Sequence, residues 1–275
     1  MADIKQVQKP FDNSQNWLSE YASNVTSQTG EDGIIEKIFE IMGTNDEAWC
    51  VEFGAWDGKL FSNSYNLLVN KGWNGVMIEA NETKFGELTT TYQNHPKVHC
   101  VNRFVQFQSP DSLDDILSET GIPKDFDFLS IDVDGNDYHI WDSLKVHRPR
   151  LIVIEFNPSI PNDIVFIQDP NNDLNHGNSL HAMIELGKAK GYELICTTPW
   201  NGFFVPKELY PLFEIEDNSI YRMYNDQPYG TRLFQLYDGT LLIGGNTNLI
   251  WHNIPIAADE IQVIPRSVRR FPDKQ

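Results

Sequence analysis

The chain has 275 residues, with 21 Lys and Arg against 39 Asp and Glu, a formal net charge of -18 and an isoelectric point near 4.6. So acidic a chain repels phosphate backbones and anionic bilayers, which argues against nucleic acid as the main partner and against an anionic membrane surface. A hydrophobic share of 40% is enough for a packed core, and no apolar run approaches the ~18–20 residues of a membrane span, so no membrane insertion is expected.

Residues 1–26 are polar, carry a turn signal at Pro10–Asn13, and read as an N-terminal arm with one short helix near Trp17–Tyr21. Ile34, Ile35, Ile38, Phe39 and Met42 recur at helical spacing, so 31–42 is an amphipathic helix. Gly30 precedes it, and Glu31 and Asp32 occupy its first turn, where the helix dipole favours negative charge. A repeating order follows. Strands at 49–55, 75–80, 97–105, 126–134 and 150–156 alternate with helices at 61–71, 82–92, 112–120 and 137–144. A helix at 178–190 and late strands at 192–198 and 203–206 complete the series. This alternation predicts an α/β fold, a Rossmann-like doubly wound and mostly parallel sheet with ligands at the carboxyl ends of its strands. Residues 219–275 differ: 232–245 alternates apolar residues around Asp238-Gly239, a hairpin signal, and the chain ends in a small basic stretch. The expected division is therefore an arm (1–26), a main domain (27–218) and an accessory β-rich extension (219–275).

The sharpest local signal is Val51-Glu52-Phe53-Gly54-Ala55-Trp56-Asp57-Gly58, a strand that ends in an acid and turns through two glycines. Its spacing is not the GxGxxG of dinucleotide folds, and its acids repel a pyrophosphate but suit a cationic ligand. The alternative is a plain strand-to-helix turn. Glu79 ends the second strand about 20 residues further on, the spacing at which nucleotide folds place the acid that accepts ribose hydroxyls. Together these favour an adenosyl ligand with ammonium and sulfonium groups, as in S-adenosylmethionine.

The sequence resembles the FkbM-like branch of the class I S-adenosylmethionine-dependent methyltransferases. The residues that carry the likeness are Ser27-Gln28-Thr29-Gly30-Glu31-Asp32, the turn at 51–58, Ile78-Glu79-Ala80-Asn81 and Ser130-Ile131-Asp132-Val133-Asp134-Gly135. Asp134 stands where that family often has Glu. The resemblance covers about 27–206 and implies methyl transfer to oxygen, often on sugars or polyketide-type natural products. It also implies Gln28, Glu52, Gly54, Glu79 and Asp132 around the cofactor. Ala55, Asp57 and Gly58 in the turn, and Asn81 after the second strand, complete the expected cofactor contacts.

Asp132 and Asp134 on the fourth strand, with Glu155 and Asn157 ending the fifth, form a set of hard oxygen ligands suited to Mg²⁺. The competing reading gives Asp132 to the cofactor and Glu155 to a buried hydrogen bond. Asp134 and His139 are the candidate bases for an acceptor hydroxyl, although a histidine beside Trp141 also reads as a packed side chain. His176 and His181 flank an Asn/Gly-rich loop at 169–179, read as a lid. Trp200, Phe203 and Phe204 line an acceptor pocket or belong to the core. Neither a GxSxG elbow nor a phosphate loop occurs. Cys50, Cys100 and Cys196 match neither a disulfide framework nor a zinc pattern, so three buried thiols in a reduced cytoplasmic protein are expected. The leading expectation is an O-methyltransferase with a small-molecule acceptor. The alternatives are an NAD-dependent oxidoreductase and a non-catalytic adenosyl-ligand-binding assembly protein. Acceptor and oligomeric state stay open.

Overall fold

A computed structural model describes residues 11–171, 175–264 and 266–268. Pro10 of the expected turn signal and most of the basic C-terminal stretch lie outside the described residues. Seven strands form one sheet: β1 (Trp49–Phe53), β2 (Asn74–Ile78), β3 (Val98–Val101), β4 (Phe128–Ile131), β5 (Leu151–Glu155), β6 (Tyr192–Thr197) and β7 (Asn201–Pro206), in the order β3-β2-β1-β4-β5-β7-β6. The first five are parallel, while β7 runs antiparallel to both β5 and β6. β4 and all but the last residue of β5 are buried, so these strands read as continuous apolar runs rather than alternating ones, as a sheet covered on both faces requires.

The covering helices are α1 (Glu31–Met42), α2 (Glu82–Tyr92), α3 (Leu113–Ser118), α4 (Asp137–Ser143) and α5 (Leu180–Ala189). The Trp17–Tyr21 helix of the arm is a 3-10 helix. Asn81, Ser112 and Ser179 cap α2, α3 and α5 by accepting from the N–H of Lys84, Asp115 and Ala182. The helix expected over 61–71 shrinks to a π-turn at Asn66–Asn70. Its would-be first turn is committed elsewhere, because the N–H groups of Asn63 and Ser64 and the hydroxyl of Ser62 all donate to the buried Glu52 carboxylate.

Beyond β7 come a short helix α6 (Ile220–Met223), the hairpin β8 (Thr231–Gln235) and β9 (Leu241–Gly245), and the pair β10 (Asn248–Leu249) and β11 (Ile254–Pro255), joined by a 3-10 turn at Ile250–His252. The β8–β9 hairpin closes through Asp238-Gly239 with Gln235 opposite Leu241, as its alternation predicts. Phe203 and Phe204 are wholly buried in β7. Cys50 and Cys196 are buried free thiols, but Cys100 is only half-buried, because β3 is the sheet's edge strand. Among the described residues no helix is long and apolar enough to cross a membrane.

Candidate functional site

The strand order reverses between β1 and β4, and the site grows from their carboxyl ends. Gly54 leaves β1 with φ +68°, and a Cβ there would stand 2.6 Å from the Asp132 carbonyl oxygen. Glycine is therefore needed for two strand ends to touch backbone to backbone. Ala55 donates its N–H to Ile78 O, running the turn along β2. Glu79, buried at the end of β2, accepts from the N–H groups of Trp56 and Asn81 at 2.8 and 2.7 Å, which fixes its carboxylate beside the turn.

Four residues expected at the cofactor also have structural partners. Glu52 is buried under the 62–64 loop, which it holds through its three donors. Asp57 closes its own turn by accepting from Lys59 and Leu60 N–H. Gly58 is dictated by packing, since a Cβ there would meet Leu88 and Tyr92 of α2 at 2.6 Å. Asn81 caps α2.

The Ser27–Asp32 segment acts as a brace. Asp32 Oδ2 accepts from the N–H groups of Val25, Thr26 and Ser27, each at 2.8 Å, and Ser27 Oγ accepts from Asp32 N–H. Glu31 accepts from Thr198 Oγ1 and Asn201 Nδ2, tying the arm to the β6–β7 turn. Within that braced segment Gln28 lines the main cleft.

The cleft holds about 490 Å³ and brings Gln28 together with Asp132, Asp134, Glu155 and Trp200. Carboxylate oxygens of Asp132, Asp134 and Glu155 lie within 4.8 Å of one another, and Glu155 Oε2 is buried with no hydrogen-bond partner. Asp134 sits at φ +58°, an uncommon conformation. Asp137 holds that turn by accepting from Val133 and Gly135 N–H, both at 2.9 Å. Although Asp132 faces the open cleft, the protein around its carboxyl and the charges of Asp137 and Asp134 push it up to about 8. Burial raises Asp137 to about 6 against its N–H bonds. Burial and then Asp132 raise Glu155 well above the carboxylate range. Among the described residues no Lys or Arg lines the cleft to neutralise the group. Such a set fits a hard divalent cation by number and type of oxygen.

Two expected members do not join. Asn157 Nδ2 donates to His176 O, and its Oδ1 accepts from Ser159 N–H and Oγ, so the side chain is spent on its own loop. His139 is not among the residues that line the cleft, and its Nε2 lies 2.7 Å from Gln168 O, a carbonyl that can only accept, which leaves Nδ1 as the nitrogen able to take a proton. His181 Nδ1 contacts Asn162 O, away from the cleft.

The sequence reading missed the roof. Ile250, Trp251 and His252, on the turn between β10 and β11, line the same cleft. Trp251 donates from Nε1 to Asn175 O at 3.1 Å, and its ring centroid is 6.3 Å from that of Trp200. A Cβ at Gly177, φ +64°, would strike the Trp251 ring at 2.5 Å, so that glycine lets the roof close. Nothing in local periodicity points to this, because it joins positions about 50–220 residues apart in sequence.

Residues 105–194 match the family model of the methyltransferase FkbM domain. That segment contains β4, β5, α4, α5 and the three converging carboxylates, while the Gly54 turn and Glu79 precede it. Among solved structures, the chain is similar to M. capricolum TrmK in complex with S-adenosyl-homocysteine, at 9% identity over 62% of this chain and 66% of that one, TM-score 0.40. It is also similar to the citrinin polyketide synthase CMeT domain, at 11% identity over 64% and 51%, TM-score 0.44. A SAM-dependent methyltransferase from Aquifex aeolicus aligns at 10% identity over 62% and 87%, TM-score 0.39. The chain thus spans about half to two thirds of the length of the first two. No curated protein sequence matches it.

Proposed function

We propose that this protein is an S-adenosylmethionine-dependent O-methyltransferase acting on a hydroxyl of a small molecule, a sugar or a glycan or natural-product precursor. The observation that carries the reading is the acidic cleft at the β1/β4 switch point, whose three carboxylates lie in a segment that matches a methyltransferase domain model. A cleft with three carboxylates and, among its described lining residues, no Lys or Arg favours a ligand bearing ammonium and sulfonium charge. It disfavours the pyrophosphate of a nicotinamide cofactor, which sets the oxidoreductase alternative aside.

Glu79 would accept the ribose hydroxyls, since each of its oxygens keeps a lone pair beside one backbone N–H. Gln28 and Asp132 would hold the amino-acid end. Asp132, Asp134 and Glu155 would hold a divalent cation, which when bound positions an acceptor hydroxyl and lowers its pKa. Where no cation is held, Asp134 would take the acceptor's proton. Trp200 and Trp251 offer aromatic faces for the C–H surface of a sugar ring, and with the roof they keep water from the reacting atoms. The small-molecule acceptor then enters under residues 250–252. Three unpaired thiols suit a reducing cytoplasm.

Calorimetric titration with S-adenosylhomocysteine and NAD, followed by an acceptor screen with labelled methyl donor with and without chelator, tests this reading. Binding of S-adenosylhomocysteine but not NAD, and chelator-sensitive transfer, are expected. Protein that binds no S-adenosylhomocysteine refutes the methyltransferase reading. Binding without turnover on any acceptor supports the non-catalytic assembly role. Turnover that resists chelation in metal-stripped protein removes the cation and leaves Asp134 as a bare base.

A further inference from the structure

A second concavity of about 710 Å³ opens beside the cleft, lined by Ile160, Pro161, Ile164, Phe166, Ile167 and His176. Three of these, Ile164, Phe166 and Ile167, belong with Val165 to an unbroken apolar run in a loop, the four being 45%, 36%, 39% and 48% exposed. Four consecutive large apolar side chains in water are unfavourable unless something covers them, at about 25 cal/mol for each Å². The loop is held in place from below. Phe166 N–H donates to Ser179 Oγ, Ser179 N–H donates to Phe166 O, and Gln168 N–H donates to Asn178 Oδ1. The groove is thus preformed, and an occupant would not have to order it.

One thickness of chain separates groove from cleft. A Cβ added at Gly177 would meet both the Trp251 ring of the cleft, at 2.5 Å, and Cβ of Asn157, a groove residue, at 3.2 Å. The His176 ring, on the groove, meets the His252 ring, on the cleft, edge to face at 5.8 Å. A molecule whose polar end occupies the cleft therefore has an apolar trough at its side. Among the described residues no Lys or Arg lines either cavity, and Asp169 lines the groove, so a free fatty acid finds no fixed positive charge there for its carboxylate.

We infer that the groove binds the apolar chain of the acceptor, an alkyl or isoprenyl tail on an uncharged hydroxyl-bearing head group that enters the cleft. This rests on the methyl-transfer reading for its purpose, while the groove as a site stands on its own geometry. The volume lies within the ~300–1,000 Å³ of small-ligand pockets.

The test uses octyl glucoside below its micelle concentration, with glucose and octanoate as the head-only and anionic-tail probes. Each is titrated into the full chain by calorimetry, with S-adenosylhomocysteine titrated in parallel. Octyl glucoside should bind, with glucose and octanoate weaker by roughly tenfold or more, since a half-buried chain of this length is worth at least that. The double variant Ile164→Asn, Ile167→Asn changes two exposed positions outside the cleft. It should lose octyl glucoside affinity by roughly tenfold while binding S-adenosylhomocysteine as before. Equal octyl glucoside affinity in the variant and the parent, or no octyl glucoside binding by protein that binds S-adenosylhomocysteine, overturns the inference and leaves the methyltransferase reading standing. Octanoate binding as tightly as octyl glucoside overturns the uncharged-head assignment. Loss of S-adenosylhomocysteine binding alone strikes the methyltransferase reading and not the groove.

Discussion

Gly54→Ala probes the contact on which the site is built. Two costs add at this position. A left-handed conformation in a residue with a Cβ costs about 1–2 kcal/mol, and Gly54 has φ +68°. The new methyl would also stand 2.6 Å from Asp132 O, a backbone atom that cannot rotate aside. Overpacking of this kind costs about 1–3 kcal/mol more, so the expected loss is about 2–5 kcal/mol. Gly72→Ala is the control, because Gly72 has φ +72° with nothing within 4 Å and pays only the conformational cost. Urea unfolding midpoints of both variants, read with the parent slope, isolate the steric part by difference. The Gly54 variant should also bind S-adenosylhomocysteine more weakly, since relief of the clash must move Asp132. Equal destabilisation by the two substitutions would refute the argument that the β1 and β4 ends are locked backbone to backbone.

Glu79→Ala should weaken S-adenosylmethionine binding by roughly 1.5–3 kcal/mol, the value of hydrogen bonds to a charged group; unchanged calorimetric affinity in folded protein removes Glu79 from the site. Glu52→Gln should cost roughly 1–3 kcal/mol of stability, because the 62–64 donors lose a carboxylate, yet leave cofactor affinity intact; a selective loss of affinity would return Glu52 to the ligand. Burial pushes Asp114 up, but the bond from His147 and the N–H groups of 145–147 outweigh it and hold the carboxyl down at about 2. Its stabilisation is thus full above the unfolded value of ~3.9 and is lost as pH falls from there through about 2. Asp114→Asn should flatten the acid limb of a stability-against-pH curve, and superimposable limbs would show that the pair stabilises nothing. Mg²⁺ should raise the melting temperature of the parent but not of Glu155→Gln, whose orphaned Oε2 is then gone; an equal rise in both argues against the three-carboxylate site.

The strand–helix series of residues 31–206 was legible in the amino-acid sequence because each buried strand is a continuous apolar run and each amphipathic helix repeats every three or four residues. The Asp238-Gly239 hairpin was legible for the same local reason. Strand ends were less so: 54–55, 79–80 and 132–134 read as strand but leave the sheet, since positive φ at Gly54 and Asp134 turns the chain away. Motif residues were visible, but their partners were not. Glu52, Asp57, Gly58 and Asn81 look like ligand residues in one dimension, and only the tertiary structure shows the loop, turn, helix face and cap that they also serve. Asp132, Asp134 and Glu155 could be placed on neighbouring strand ends from the order of elements, yet whether Asn157 and His139 joined them depended on side-chain bonds to His176 O and Gln168 O. The roof of Ile250, Trp251 and His252 and the apolar trough at 160–167 were decided by tertiary structure alone. Periodicity reports which face of an element is buried, because that follows from backbone geometry within a few residues. Which distant segment covers a cleft depends on contacts across most of the chain, and those leave no repeat in the sequence.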